Sequence, residues 1–160
     1  LLAGADKVII NTAAVDHPNF ISEAAGKFGS QCIIVSIDVK MGSDNQFKVF
    51  AESGRRSTGW EARDWAKEAE RLGAGEILLT SIDQDCIMNG YEISLIKQVA
   101  EAASIPVIAS GGAGNLQDLV DVVKAGATAV AAASLFHFTD QSPIKARSFM
   151  CNAGLNVRFV

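Results

Sequence analysis

Short apolar runs alternate with stretches of helical period along the whole chain. Lys7–Ile10, Cys32–Ile37, Glu76–Ile82, Pro106–Ala109 and Thr128–Ala133 are near-continuous apolar runs bounded by polar residues, the pattern of buried strands. Between them apolar residues recur every three to four positions. Pro18 opens a helix with Phe20, Ile21, Ala24, Ala25 and Phe28 inward and Gly29-Ser30 as its stop. Trp60–Leu72 reads as a second helix, and Glu92–Ala103, with Ile93, Ile96, Val99 and Ala100 inward, as a third. Asn115 caps a fourth, whose inner face is Leu116, Leu119, Val120 and Val123, and Pro143–Met150 closes the chain as a fifth. Met41–Gln46 is a polar turn before the short apolar run Phe47–Phe50, so a hairpin should project from the end of the second strand; Ser53–Gly59 reads as a polar loop.

Regular strand–helix alternation with short connections implies a parallel sheet with right-handed crossovers. An internal repeat narrows the architecture. Ala3-Gly4-Ala5-x-x-Val8 recurs as Ala125-Gly126-Ala127-x-x-Val130, a shift of 122 positions that spans four strand–helix units and sets Thr12 against Ser134. Both are hydroxyls just past a buried strand. A four-unit repeat with a hydroxyl at equivalent strand ends points to a closed (β/α)₈ barrel of two similar halves, with two anion sites facing each other. A weaker copy, Gly73-Ala74-Gly75-Glu76-Ile77, sets Glu76 against Lys7. Leu1-Leu2-Ala3 reads as the tail of a helix stopped by Gly4. The expectation is therefore a single partial barrel over residues 1–160, about strands 4 to 8, with the first three strand–helix units absent.

The strand ends carry the chemistry, because parallel α/β folds bind ligands at the C-terminal ends of their strands. Asp38 follows a buried apolar strand, where a carboxylate serves as general acid or base; the plainer alternative is a helix cap or an ion pair with Lys40. Ser110-Gly111-Gly112-Ala113-Gly114 lies between strand and helix, a place for close backbone approach to a phosphate at a helix N-terminus. Ala133-Ser134 supplies a neighbouring loop, and the alternative is that the glycines only make tight turns. Asp83 and Asp85 flank Gln84 just past the strand; one of them is expected to face the barrel mouth as a substrate-positioning carboxylate, and a loop cap is the plainer alternative. Lys7 and Glu76 lie at strand starts, on the opposite face, where an ion pair is the default. Arg55-Arg56 is a solvated loop or a partner for an anion.

Composition removes several function classes. The chain has 160 residues, 49% hydrophobic and 20% charged, enough for one core of ordinary size. A net charge of −4 gives no reason to expect nucleic acid or an anionic membrane, so a phosphate site must be local. No apolar run reaches the ~18 residues of a membrane span. Cys32, Cys86 and Cys151 are odd in number and far apart, which argues against a disulfide framework and fits a reducing, cytoplasmic setting. His17 and His137 match no metal-ligand spacing, and no cofactor is expected.

The segments LAGADKVIINTAAV, IIVSIDVK, GAGEILLTSIDQD, IPVIASGGAG and AAASLFHF together resemble the cyclase subunits of imidazole glycerol phosphate synthase, over essentially the whole chain. The resemblance implies that ammonia from a separate glutaminase subunit (a glutamine amidotransferase) crosses the barrel. It would react with an aminoimidazole carboxamide ribotide bearing two phosphates, giving imidazole glycerol phosphate and AICAR. By the same resemblance Asp38 is one of two catalytic aspartates. Asn11, Thr12, Gly111, Gly112, Ala133 and Ser134 fall on phosphate-binding positions. Thr80, Ser110 and Asp85 line the substrate site, and Lys7 and Glu76 belong to a charged gate for ammonia at the barrel base. The sequence departs from the family at Asp85-Cys86-Ile87, where Asp-Gly-Thr is usual. That loop keeps open a paralogue that amidates a nucleotide sugar in surface-glycan synthesis, and the sheet edges a partial barrel would expose keep open a half-barrel without catalysis.

Overall fold

A computed structural model describes residues 1–158. Among these residues seven strands and seven α-helices follow in this order: β1 (Val8–Ile10), α1 (Thr12–Asp16), α2 (Asn19–Phe28), β2 (Ile33–Met41), β3 (Phe47–Ala51), β4 (Arg56–Glu61), α3 (Ala62–Arg71), β5 (Glu76–Ser81), α4 (Ile93–Ala100), β6 (Val107–Ser110), α5 (Leu116–Lys124), β7 (Ala129–Val130), α6 (Ser134–Phe138) and α7 (Pro143–Asn152). The parallel strands lie in chain order, β1-β2-β5-β6-β7, without reversal. A doubly wound sheet reverses its strand order at a switch point. Uninterrupted order with a helix after each strand is instead the wall of a partial (β/α) barrel.

The expected hairpin is present. β3 pairs antiparallel with the far end of β2, from Asp38↔Phe50 to Met41↔Phe47, and β4 pairs with β3. β5 takes one edge of β2, so β1, paired at Ile33–Val35, and β3 share the other. Two expectations fail here. Residues 53–59 are not all loop, and Trp60 is not helical, because the chain returns along β3 as β4 before turning into α3. A register shift between the Lys48 and Phe50 pairs, with Gly59 at φ 81°, absorbs the extra residues. Trp60 stacks on Trp65 of α3, ring centroids 5.3 Å apart.

The last strand is shorter than its apolar run. Only Ala129 and Val130 pair in register with β6, after which Ala131 gives one more bond to Ala109 and the chain bends into α6. Two five-residue helices, α1 and α6, were not anticipated from periodicity; five residues are too few to show one. They begin at Thr12 and Ser134, the two positions equated by the sequence repeat.

Alternation along the strands sets two faces. Ile33, Val35, Ile37 and Val39 of β2, with Ile77 and Leu79 of β5 and Ala109 of β6, are buried against Trp65, Leu95, Val99 and Leu119 of the helices. The opposite parity carries Ile34, Ser36, Asp38 and Lys40, then Glu76, Leu78 and Thr80, then Ile108 and Ser110. This face is only partly covered, and Ile9 of β1 is 57% exposed. It corresponds to a barrel interior, with apolar residues in its middle and polar ones toward the C-terminal strand ends.

Candidate active site at the C-terminal strand ends

Asp38, Thr80 and Ser110 form one row on the inner face. Asp38 is in register with Thr80, and Thr80 with Ser110. Strands spaced about 4.8 Å apart place the three side chains within about 10 Å. Ser36 sits one pleat below Asp38 on the same face, and its hydroxyl donates to Asp38 Oδ1 at 3.2 Å. Burial holds the Asp38 carboxyl above its usual value; the Ser36 bond opposes this, and the charge of Asp85 adds to it. Lys40 does not pair with Asp38. Its ammonium donates to Gly54 O at 3.2 Å and lies 5.1 Å from the Phe50 ring centroid. Asp38 lies inside β2 and caps no helix, so neither plain alternative for it applies.

At one end of the row a cavity of about 150 Å³ is lined by Asp85, Cys86, Met88, Ser110–Ala113 and Ala131–Ser134. Five of the expected ligand-binding positions, Asp85, Gly111, Gly112, Ala133 and Ser134, thus share one space with Ser110. Asp83 does not: its carboxylate accepts the Met41 N–H at 2.9 Å and ties the hairpin to the β5 loop. The far wall of the cavity is fixed by Tyr91, which is buried and donates its hydroxyl to Ala131 O at 2.9 Å. Burial, with Asp118 nearby, pushes the phenol pKa up, so the hydroxyl stays a donor. Tyr91 was not singled out from the sequence. Its only signal there was an aromatic at the polar start of a helix.

The glycine loop departs from expectation in one respect. The N-terminus of α5 is not open to an anion. Asn115 Oδ1 accepts from Gln117 and Asp118, while Asp118 Oδ2 accepts the N–H groups of Gly114 and Asn115. The cap that the sequence announced thereby consumes the terminus and adds a carboxylate to it. Among the described residues no hydrogen bond is found for the N–H groups of Gly111, Gly112 and Ala113, which line the cavity. Backbone donors remain, then, but upstream of the helix. The glycines also serve packing: a Cβ on Gly112 would lie 2.1 Å from Gly90 O, and one on Gly114 2.0 Å from Met88 O.

At the other end of the row stand Asn11 and Thr12. Asn11 Nδ2 donates to Ser36 O at 3.1 Å, and Thr12 Oγ1 lies 3.2 Å from Asn11 Oδ1. They are separated from the cavity by Asp38 and Thr80. Lys7 and Glu76 lie at the opposite ends of the strands and form an ion pair with each other across the start of β2.

A family model described as histidine biosynthesis protein matches residues 1–142. The chain belongs to this family. The histidine biosynthesis family contains isomerases and cyclases, and its match covers every candidate residue named above. Arg55 and Arg56 also fall within it, but they meet carboxyl and carbonyl oxygens of the chain itself: Arg56 pairs with Asp16 and Glu52, and Arg55 Nε donates to Glu52 O. Among the described residues no three His, Cys, Asp or Glu side chains are grouped to hold a metal ion, and no helix is long and apolar enough to cross a membrane.

Proposed function

We propose that this chain carries the substrate-binding and cyclising side of an ammonia-dependent cyclase of histidine biosynthesis. The observation that carries the reading is the position of Asp38. It stands mid-row between two candidate anion positions, Asn11-Thr12 on one side and the Gly111/Gly112/Ser134 cavity on the other. A ribotide with a phosphate at each end would span that row and bring its reacting centre over the carboxyl. A carboxyl held above its usual pKa keeps a larger protonated fraction, which suits donation of a proton during ring closure. Ser36 orients it, and Thr80 and Ser110 supply hydroxyls alongside. Ammonia would enter from the opposite ends of the strands past Lys7 and Glu76, delivered by a glutaminase partner.

The test is turnover of the two-phosphate ribotide with ammonia by the full coding sequence, with Asp38→Asn as the comparison. Activity in the parent and loss in the variant, with phosphate affinity retained, supports the assignment; retained turnover in the variant removes it. Ammonia-independent conversion would place the chain with the family's isomerases instead. A second reading has its own observation: the exposed Cys86, at φ 64°, lines the cavity wall. A folded parent inactive on the ribotide would favour a paralogue that passes channelled ammonia to a nucleotide sugar.

A further inference from the structure

The turn joining β3 to β4 rests against the Asn11-Thr12 end of the row, and its anchoring carries information. Glu52, Ser53 and Gly54 occupy three successive left-handed positions, with φ of 55°, 57° and 79°. Side chains other than glycine adopt that region at a cost, so something must hold the turn there. Arg55 Nε donates to Glu52 O at 3.1 Å, and Lys40 Nζ donates to Gly54 O at 3.2 Å. The remaining anchors reach across to α1. Glu52 N–H donates to Thr12 Oγ1 at 3.0 Å. Arg56 bridges the two elements, with Nε 2.7 Å from Glu52 Oε1 and Nη2 2.5 Å from Asp16 Oδ1.

These contacts decide what Thr12 can offer. A hydroxyl has one proton and two acceptor positions. The Glu52 N–H takes one of the two, so Thr12 keeps its proton and one acceptor position, and toward an anion only the proton can serve. In this structure its proton faces Asn11 Oδ1 at 3.2 Å, a long contact that an anionic oxygen would readily replace. An N–H on the oxygen also polarises the O–H and strengthens that donation. Charge bears on the same point. Asp16 and Glu52 would oppose an anion at Thr12, and Arg56 engages both.

We propose that Arg56 is a positioning residue: by clamping Asp16 and Glu52 it seats the β3–β4 turn so that Glu52 N–H fixes the Thr12 hydroxyl with its proton directed at an anionic group of the substrate. This rests on the reading above, in which Thr12 meets such a group. Arg56 itself touches no ligand. The guanidinium fork is what the geometry needs, since one arm must hold each carboxylate; a lysine supplies charge without the fork.

The test is titration of the full chain with inorganic phosphate, followed through the backbone amide resonances of Thr12, Glu52, Gly112 and Ser134, in the parent, Arg56→Gln and Arg56→Lys. Arg56→Gln should weaken phosphate at Thr12 roughly tenfold, leave Gly112 and Ser134 unchanged, and speed exchange of the Glu52 amide with solvent. Arg56→Lys should recover only part of the loss. Unchanged affinity at Thr12 in Arg56→Gln, or full recovery by Arg56→Lys, overturns the positioning role. Absence of any Thr12 response to phosphate in the parent overturns the underlying reading of Thr12 instead, and the two failures are thereby told apart.

Discussion

Gly90 and Gly112 meet backbone to backbone: the Gly90 N–H donates to Gly112 O at 2.9 Å, and a Cβ on Gly112 would stand 2.1 Å from Gly90 O. The loops after β5 and β6, which wall the cavity, are locked by this contact. Gly112 also has φ 114°. Gly112→Ala should therefore lower stability by about 3 kcal/mol, from the clash and the disfavoured backbone together. Gly90→Ala meets only Asp118 Oδ1 at 3.7 Å, so it carries backbone strain alone, about 1–2 kcal/mol. Urea unfolding of both variants measures the difference. Equal costs would mean that the loop contact is not what requires a glycine at 112.

The Asp38 carboxyl gives a pH dependence with a definite sign. Its pKa is raised above 3.8 in the folded chain, chiefly by burial. The native state then holds the proton more tightly than the unfolded chain. Stability falls as pH rises from 3.8 through the raised folded value and is level beyond it. Asp38→Asn keeps an acceptor for the Ser36 hydroxyl but cannot ionise. The variant should be more stable than the parent at neutral pH, with the gap closing as pH drops below 3.8. Thermal unfolding across that range reads it. A destabilised Asp38→Asn at neutral pH would contradict the burial argument.

Much of this arrangement was legible in the chain. In Ile33–Lys40 the polar residues Ser36, Asp38 and Lys40 fall at every second position, which places them on one face of a strand. Ser36 was nevertheless passed over, because a lone serine in an apolar run carries no chemistry until a neighbour across the pleat is considered. Asn115 was legible as a helix cap, and in the structure Asp118 three residues on completes a capping box. Its consequence for anion binding was not, since sequence shows where a cap lies and not that it uses up the donors a ligand would need. β4 escaped notice because its pattern of exposure follows an edge strand with a bulge, where neither period applies. The seating of Thr12 by Glu52 and Arg56 joins residues 40 positions apart and leaves no local trace.

Lys7 and Glu76 allow stability and function to be separated. Their ion pair is partly exposed, with side chains 41% and 21% accessible. Solvent screens such pairs, and Glu76→Gln should change stability by less than about 1 kcal/mol. If the pair guards the ammonia route, the same variant should alter turnover driven by glutamine through the proposed glutaminase partner while leaving turnover with added ammonium salt nearly unchanged. Equal effects on both ammonia sources would reduce the pair to a structural contact.

Cys86 poses the opposite problem, a side chain where the backbone favours none. It lies at φ 64°, two residues before Met88 at φ 60° and four before Gly90 at φ 95°. Its thiol is exposed and lines the cavity beside Ser110–Ala113. Left-handed backbone costs a residue with a Cβ about 1–2 kcal/mol, while glycine loses about 0.5–1 kcal/mol of chain entropy on folding. Cys86→Gly should therefore stabilise the chain by about 0.5–1 kcal/mol and widen the cavity. Cys86→Ala keeps the Cβ, so it should stay within about 0.5 kcal/mol of the parent. Paired denaturation curves distinguish the two. If alanine stabilises as much as glycine, the thiol itself and not the backbone is what the loop tolerates poorly. The Cys86 wall would then be set by side-chain contact within the cavity, and any preference it imposes on substrates would follow the thiol.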